Sequence, residues 1–320
     1  MKVSIVVPVY GVEKYIEQCA VSLFEQTYDD LEFVFVDDCS PDHSIEILQQ
    51  VLDSYPQRKE QVKIIRLPQN GGSGNARRVG VEQSTGEYIS FVDSDDVAEK
   101  NMVELFVKKA EETHADVIDG AYAYLTDQGI GDTIPPSSDK QQTYLRKLLL
   151  QYIVSHQIWA RIIRRQFMMD QKIFFQPGVN QGEDYSITPR LLLKARWTTI
   201  PDTIYYYRID RVGTFTNHLL PHHAVSYIKA NGIVSEFFKQ HDTTNTYTTA
   251  LQIGLLHAYS IGAHFDISYQ DLQTYCPFSP KGLYFRCFLW LTKKKCPWKF
   301  LRFLYLAAKR TYRIFLLPQR

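Results

Sequence analysis

Cysteine is sparse and unpatterned in this 320-residue chain: Cys19, Cys39, Cys276, Cys287 and Cys296 form no Cys-x-x-Cys and no zinc spacing. That argues against a disulfide framework and for a reduced, cytosolic chain. Long apolar runs are missing too. The opening MKVSIVVPVYGVEKY has too short an apolar stretch, and no small-residue cleavage site, for a signal peptide, so it reads as a buried first strand. The stretch NGGSGNARRVG fits neither the Walker pattern nor G-x-G-x-x-G, which counts against a kinase or a dinucleotide dehydrogenase. Finally, no acidic residue follows Asp271, while residues 281–320 carry eleven Lys and Arg. Setting those eleven aside leaves 25 basic against 35 acidic residues, so an acidic body carries a basic tail.

What is present suffices for a sizeable core, with 45% hydrophobic residues in one large or two modest domains. Over the first 120 residues, β-rich runs at 3–10, 31–38, 62–67, 87–93 and 115–124 alternate with helical patterns near 13–26, 42–54, 74–84 and 99–113. Continuous apolar strands between helices predict an α/β fold whose mostly parallel sheet is covered on both faces. Ligands gather beyond the carboxyl ends of such strands, and PVYG, VDDCSPD, NGGSGNARR and DSDD all fall there. Residues 127–142 read as a surface loop, 145–167 as a helical stretch, and 219–280 as mainly helical.

In DSDD, Asp93, Asp95 and Asp96 stand within four positions. Two unit charges 4 Å apart interact by roughly 4 kcal/mol at an effective dielectric near 20, so the group needs a counter-charge. A divalent cation with a diphosphate would supply it; the plainer reading makes Asp96 a cap for the 99–113 helix. Asp37 or Asp38 would accept a hydrogen bond from a nucleobase, or would simply end a strand with Asp42 as the next helix's cap. The glycine-rich stretch opens a helix, and its N–H groups, with Arg77 and Arg78, suit an anion; a plain turn is the alternative. Glu183 and Asp184 precede an apolar helical run. They either satisfy its dipole or put a general base, Asp184, into a cleft.

Taken in order, these residues resemble the inverting, nucleotide-sugar-dependent family 2 glycosyltransferases of GT-A fold, over roughly residues 2–215. VSIVVPVYGVEKYIEQCAVSLFEQTYDDLEFVFVDDCSPDHS is similar to that family's opening. Asp93-Ser94-Asp95 matches its D-x-D motif and Glu183-Asp184 its later acidic pair; IWARIIRRQF and IYYYRID are like its capsule and lipopolysaccharide members. The resemblance implies that Pro8, Val9, Tyr10 and Asp38 hold the nucleobase, with Arg77 near the nucleotide. Asp93 would face the ribose, and Ser94 and Asp95 the diphosphate. Asp95 would hold Mn²⁺ or Mg²⁺, Asp184 would be the base, and Arg208 would help with phosphate charge. Cys39, Arg78 and Gly11 depart from the usual Gly, Asn and Asn, and the processive Q-x-x-R-W pattern is absent, which favours transfer of one sugar. A UDP-sugar donor, a glycan or lipid-linked oligosaccharide acceptor and a role in bacterial surface polysaccharide synthesis follow from the resemblance. A nucleotidyltransferase or a non-catalytic nucleotide-sugar binder are the alternatives.

The expected organisation is a catalytic domain at 1–218, divided into a nucleotide-binding half (1–125) and an acceptor half (126–218). A helical extension (219–280) and a membrane-association segment (281–320) follow. On a helical wheel Trp298, Leu301, Leu304, Tyr305, Ala308, Tyr312 and Phe315 share one side, Lys299, Arg302, Lys309 and Arg313 lie opposite, and Phe303 and Leu306 blur the boundary. Too short to span a bilayer, the segment reads as a helix lying on the inner face of an anionic cytoplasmic membrane. Nucleic-acid binding, disfavoured by the acidic body, and a tail packed on the body with its basic face outward are the alternatives.

Overall fold

The computed structural model describes residues 1–150, 156–211 and 220–315. The parts of the stretches 145–167, 126–218 and 281–320 that fall at 151–155, 212–219 and 316–320 therefore lie outside the described residues, as does the side chain of Phe315.

In chain order the elements are β1 (Val3–Val9), α1 (Ile16–Phe24), β2 (Leu31–Asp37), α2 (Ser44–Asp53), β3 (Val62–Arg66), α3 (Ser73–Gln83), β4 (Tyr88–Phe91), β5 (Val97–Ala98), α4 (Met102–Thr113), β6 (Val117–Thr126) and β7 (Gly129–Ile134). There follow α5 (Gln141–Leu149), β8 (Arg161–Arg164), α6 (Arg165–Asp170), α7 (Glu183–Lys194), β9 (Trp197–Arg208), α8 (Pro221–His241), α9 (Thr248–His264), α10 (Tyr269–Tyr275), α11 (Leu283–Lys293) and α12 (Trp298–Phe315). They form two compact units that interleave in sequence: one of 1–138, 157–178 and 194–214, the other of 139–156, 179–193 and 215–320.

The first unit holds a nine-stranded sheet, ordered β3-β2-β1-β4-β8-β6-β9-β5 with β7 paired to β6. The β3-β2-β1-β4 half is parallel, and β2 is buried along its whole length, as expected of a strand covered on both faces. Helix α3 lies close on β1: a Cβ added at Gly80 would stand 2.2 Å from Val6 Cγ1, so only glycine allows this approach.

Two stretches differ from the sequence reading. Arg161–Arg164 is not helical; it runs antiparallel between β4 and β6, with Ile162 and Ile163 fully buried. Its charges are answered in place, Arg161 forking onto Asp119 at 2.5 and 3.0 Å and Arg164 pairing with Asp116. The presumed loop 127–142 contains β7, which has no apolar alternation to announce it because nearly every side chain is exposed.

The second unit is helical. Here α12 packs on α9, and its Leu301, Tyr305 and Tyr312 are all buried. The ring of His257 stacks on Tyr305 at 4.7 Å, and Lys309 Nζ lies 3.1 Å from Tyr305 Oη. Most of the apolar wheel face assigned to a membrane is thus spent on the protein's own core, and Lys309, placed on the outer cationic side, is buried with it. The side chains left outside are Phe300 (46% exposed), Phe303 (61%), Leu306 (43%) and Ile314 (46%). Among the described residues no helix is long and apolar enough to cross a membrane.

Candidate active site

At the carboxyl end of β1, Val9 is buried and Pro8 partly so, while Tyr10 is 41% exposed. The turn continues into Gly11, whose N–H donates to Ser40 Oγ at 2.9 Å. Beyond β2, Asp37 accepts from the Ser40 N–H at 2.7 Å and Asp38 bonds back to Val9 through its own N–H. The two Asp38 carboxylate oxygens accept the N–H groups of Gly71 and Gly72, each at 2.7 Å. Burial pushes the Asp38 carboxyl upward, and those two bonds oppose it. The anion expected at the glycine-rich turn is therefore, for Gly71 and Gly72, a protein carboxylate. Asp42, anticipated as a cap, stands one residue before the N-cap of α2, which is His43. It accepts the Ser44 N–H at 3.1 Å, and bonds from two serines and Glu13 hold its carboxyl down at about 2 despite burial.

Beyond β4 the chain turns sharply, the Asp96 N–H donating to the Asp93 carbonyl at 3.0 Å. The three carboxylates are compensated in three ways. Asp93 pairs with the buried Arg77 of α3 at 2.6 Å. Asp95 pairs with Arg211 at 2.7 Å. Asp96 is inside the protein, where burial first, then Asp95 and Asp93, raise its carboxyl well above the usual range. It accepts the Tyr205 hydroxyl at 2.6 Å and the Arg208 N–H at 2.8 Å, and the Asp93 N–H donates to the same Tyr205 oxygen at 3.0 Å. Asp96 therefore ties this loop to β9. It does not cap α4, whose N-cap is Asn101. Ser94, which separates Asp93 from Asp95 in the sequence, is buried.

Arg208, at the end of β9, is also buried. Its guanidinium reaches Gln18 Oε1 (2.6 Å), Asp127 Oδ1 (3.1 Å) and the Asp95 carbonyl (3.2 Å), and lies over the Tyr15 ring at 5.1 Å. Sequence reasoning missed Arg211 and Tyr205: a lone Arg and one of three adjacent Tyr carry no spacing that marks them. Among the described residues no three His, Cys, Asp or Glu converge on one metal position. A single carboxylate such as that of Asp95 is compatible with Mg²⁺ or Mn²⁺, which are commonly held by one or two carboxylates together with phosphate oxygens.

Asp184 belongs to the second unit and opens α7 beside Glu183. The approach is fixed by the N–H groups of Asn180 and Gln181, both donating to Ser226 Oγ at 2.9 Å. Gly182 takes φ +82°, and a Cβ there would press on Ala230 and Tyr227 at 3.3 Å. A left-handed glycine against α8 thus sets where the acidic pair begins.

The Glycosyl transferase family 2 model matches residues 4–172, more than half of the chain. The chain belongs to this family. It is a glycosyltransferase. It is 29% identical over 219 residues to glycosyltransferase GlyG of Streptococcus pneumoniae, covering 64% of this chain and 70% of GlyG. To the poly(ribitol-phosphate) beta-N-acetylglucosaminyltransferase TarS of Staphylococcus aureus it is 33% identical over 218 residues, covering 67% of this chain but only 36% of TarS. A structure of S. aureus TarS with UDP-GlcNAc superposes with TM-score 0.61 at 21% identity, over 98% of this chain and 92% of that one. The mannosyltransferase PcManGT of Pyrobaculum calidifontis, solved with GDP-Man and Mn²⁺, gives 0.55 at 16% identity, over 98% and 87%. These likenesses establish the GT-A fold.

Proposed function

We propose that this glycosyltransferase moves a single sugar from a UDP-sugar to a hydroxyl of a glycan acceptor, with inversion at the anomeric carbon, in bacterial surface polysaccharide synthesis. The observation that carries the proposal is the Asp93–Asp96 turn at the carboxyl end of β4, beside the chain ends of β1 and β2. Tyr10 and the turn after Val9 bind the nucleobase. Asp38 holds the glycine-rich loop in place through Gly71 and Gly72 and takes the base's N–H on a remaining lone pair, since an ionised carboxylate has about four acceptor sites. Arg77 fixes Asp93 towards the ribose. Asp95, with Ser94 at its side, would hold Mn²⁺ or Mg²⁺, which would neutralise the diphosphate and the charge that builds on the departing nucleotide. Arg208 adds positive charge to the same end of the sheet. Asp184 removes the proton of the acceptor hydroxyl, making its oxygen the nucleophile.

We place the acceptor at a lipid surface, with 281–320 holding the enzyme to an anionic leaflet and the lipid-linked glycan within reach. Each Lys or Arg near such a surface contributes about 1 kcal/mol. The apolar part of that contact falls to Phe300, Phe303, Leu306 and Ile314, because most of the other face of α12 is used inside the protein.

The test is Asp184→Asn. General-base assistance is typically worth 10²–10⁴-fold, so transfer should fall by about that factor. Stabilisation by UDP with Mn²⁺ should persist, at about 2.7 kcal/mol when ligand is 100 times its dissociation constant. Undiminished turnover would refute the base; a wild-type enzyme that no nucleotide stabilises would refute the donor site.

A further inference from the structure

We infer that Arg211 competes with the metal for Asp95 and, once displaced, binds the diphosphate of the donor. The inference rests on the reading of Asp95 as the metal carboxylate. Of the two arginines whose guanidinium groups pair with the Asp93 and Asp95 carboxylates, Arg77 is the fixed one: it sits on α3, its side chain only 4% exposed. Arg211 stands just past the end of β9, its side chain 24% exposed. Its guanidinium bridges two places, Asp95 Oδ2 at 2.7 Å and the Gly11 carbonyl at 3.2 Å. These are the metal-holding end and the nucleobase-holding end of the proposed donor site, so one side chain spans the ground a nucleoside diphosphate would occupy.

A divalent cation on Asp95 and a guanidinium on the same carboxylate oxygen repel each other, and one must give way. The displaced group would not be lost to solvent. The Tyr15 ring lies 5.9 Å beneath Arg211, and cation–π attraction keeps the guanidinium beside the site. Its planar fork fits phosphate oxygens better than a single point charge does. The exchange has a consequence for order of binding: metal alone must break an ion pair and return nothing to Arg211, whereas metal arriving with a diphosphate supplies the replacement partner. Arg211 thereby favours uptake of the metal–nucleotide complex over bare metal.

The test measures free Mn²⁺ by electron paramagnetic resonance, and UDP binding at saturating Mn²⁺ by calorimetry, in wild type, Arg211→Ala and Arg211→Lys. Removing the competitor should tighten Mn²⁺ binding in the absence of nucleotide by about fivefold, the scale of a partly exposed ion pair. The same variant should bind UDP with Mn²⁺ about tenfold or more weakly, the scale of a charge-assisted hydrogen bond. Arg211→Lys, which keeps the charge without the fork, should compete for Mn²⁺ like wild type yet recover only part of the UDP affinity. Mn²⁺ affinity unchanged in Arg211→Ala, or UDP affinity unchanged, overturns the inference. A wild-type protein that binds neither UDP nor Mn²⁺ instead defeats the donor-site reading on which it rests. Matching melting temperatures establish that the variants are folded.

Discussion

The acidic turn after β4 and the paired helices α11 and α12 depart from the usual partition of side chains in opposite directions. In the turn, a carboxyl group is taken inside: Asp96 is 1% exposed. In the helices, large apolar groups are left outside, Trp290 at 59% and Phe303 at 61%, with the rings of Phe300 and Phe303 stacked 6.3 Å apart. Buried charges are rare unless paired, and clustered exposed aromatics are rare on surfaces that meet only water. The turn solves its problem within the chain, through Arg77, Arg211, Tyr205 and the Arg208 N–H. The helices do not. Their lesson is that α12 has two apolar surfaces, one that builds the fold and one that the fold does not use.

Substitutions can separate those surfaces. Changing Phe300, Phe303 and Leu306 together to Ser should reduce partitioning onto anionic vesicles at least about a hundredfold, since burying each such side chain is worth roughly 1.5–3 kcal/mol. The melting temperature should barely move. A variant that still sediments with vesicles breaks the contrast. Leu301→Ala, on the opposite side of the same helix, should do the reverse: a loss of about 2–5 kcal/mol of stability, read by denaturant titration. Deleting the whole tail would confound the two, because it also removes the buried Leu301, Tyr305 and Tyr312. In the turn, Tyr205→Phe leaves an Asp96 oxygen and the Asp93 N–H without their shared partner. It should cost about 2–4 kcal/mol, given 1–3 kcal/mol per buried unsatisfied group. An unchanged denaturation midpoint would show that the turn does not depend on β9. Smallest is Cys39→Gly. Cys39 adopts φ +60°, a conformation costing an L-residue roughly 1–2 kcal/mol; after glycine's greater entropy loss, a gain of about 0.5–1 kcal/mol should remain.

Much of the first unit was legible because its cues are local. Strands β1 to β4 announce themselves as short apolar runs between helices, and the chemically loaded stretches sit at their ends. Cys39 was legible as an exception before its backbone was seen. Strand β8 was not, because Arg-Ile-Ile-Arg prolongs an apolar helical pattern and becomes a strand only between β4 and β6, partners more than 35 residues away. The wheel of α12 found an apolar stripe but not its destination, since membrane and α9 make the same demand on the sequence. For Asp96 the sequence offers a cap only as the plainer alternative and gives no sign of its true partners, Tyr205 and the Arg208 N–H, which lie more than 100 residues on. Arg211 escaped for the same reason: what it touches, and not what flanks it, gives it a role.

Cys19 lies beneath the acidic turn, fully buried, its thiol 3.6 Å from the Asp93 carbonyl. Burial, reinforced by Asp96, Asp95 and Asp93, pushes this thiol well above its ordinary range. Because thiolates and not thiols react with alkylating reagents, the sulfur stays silent while the floor of the site is closed. In a variant lacking the more accessible Cys39, Cys287 and Cys296, its rate of alkylation becomes a clock for the opening of that floor, and any nucleotide that steadies the turn should slow the clock.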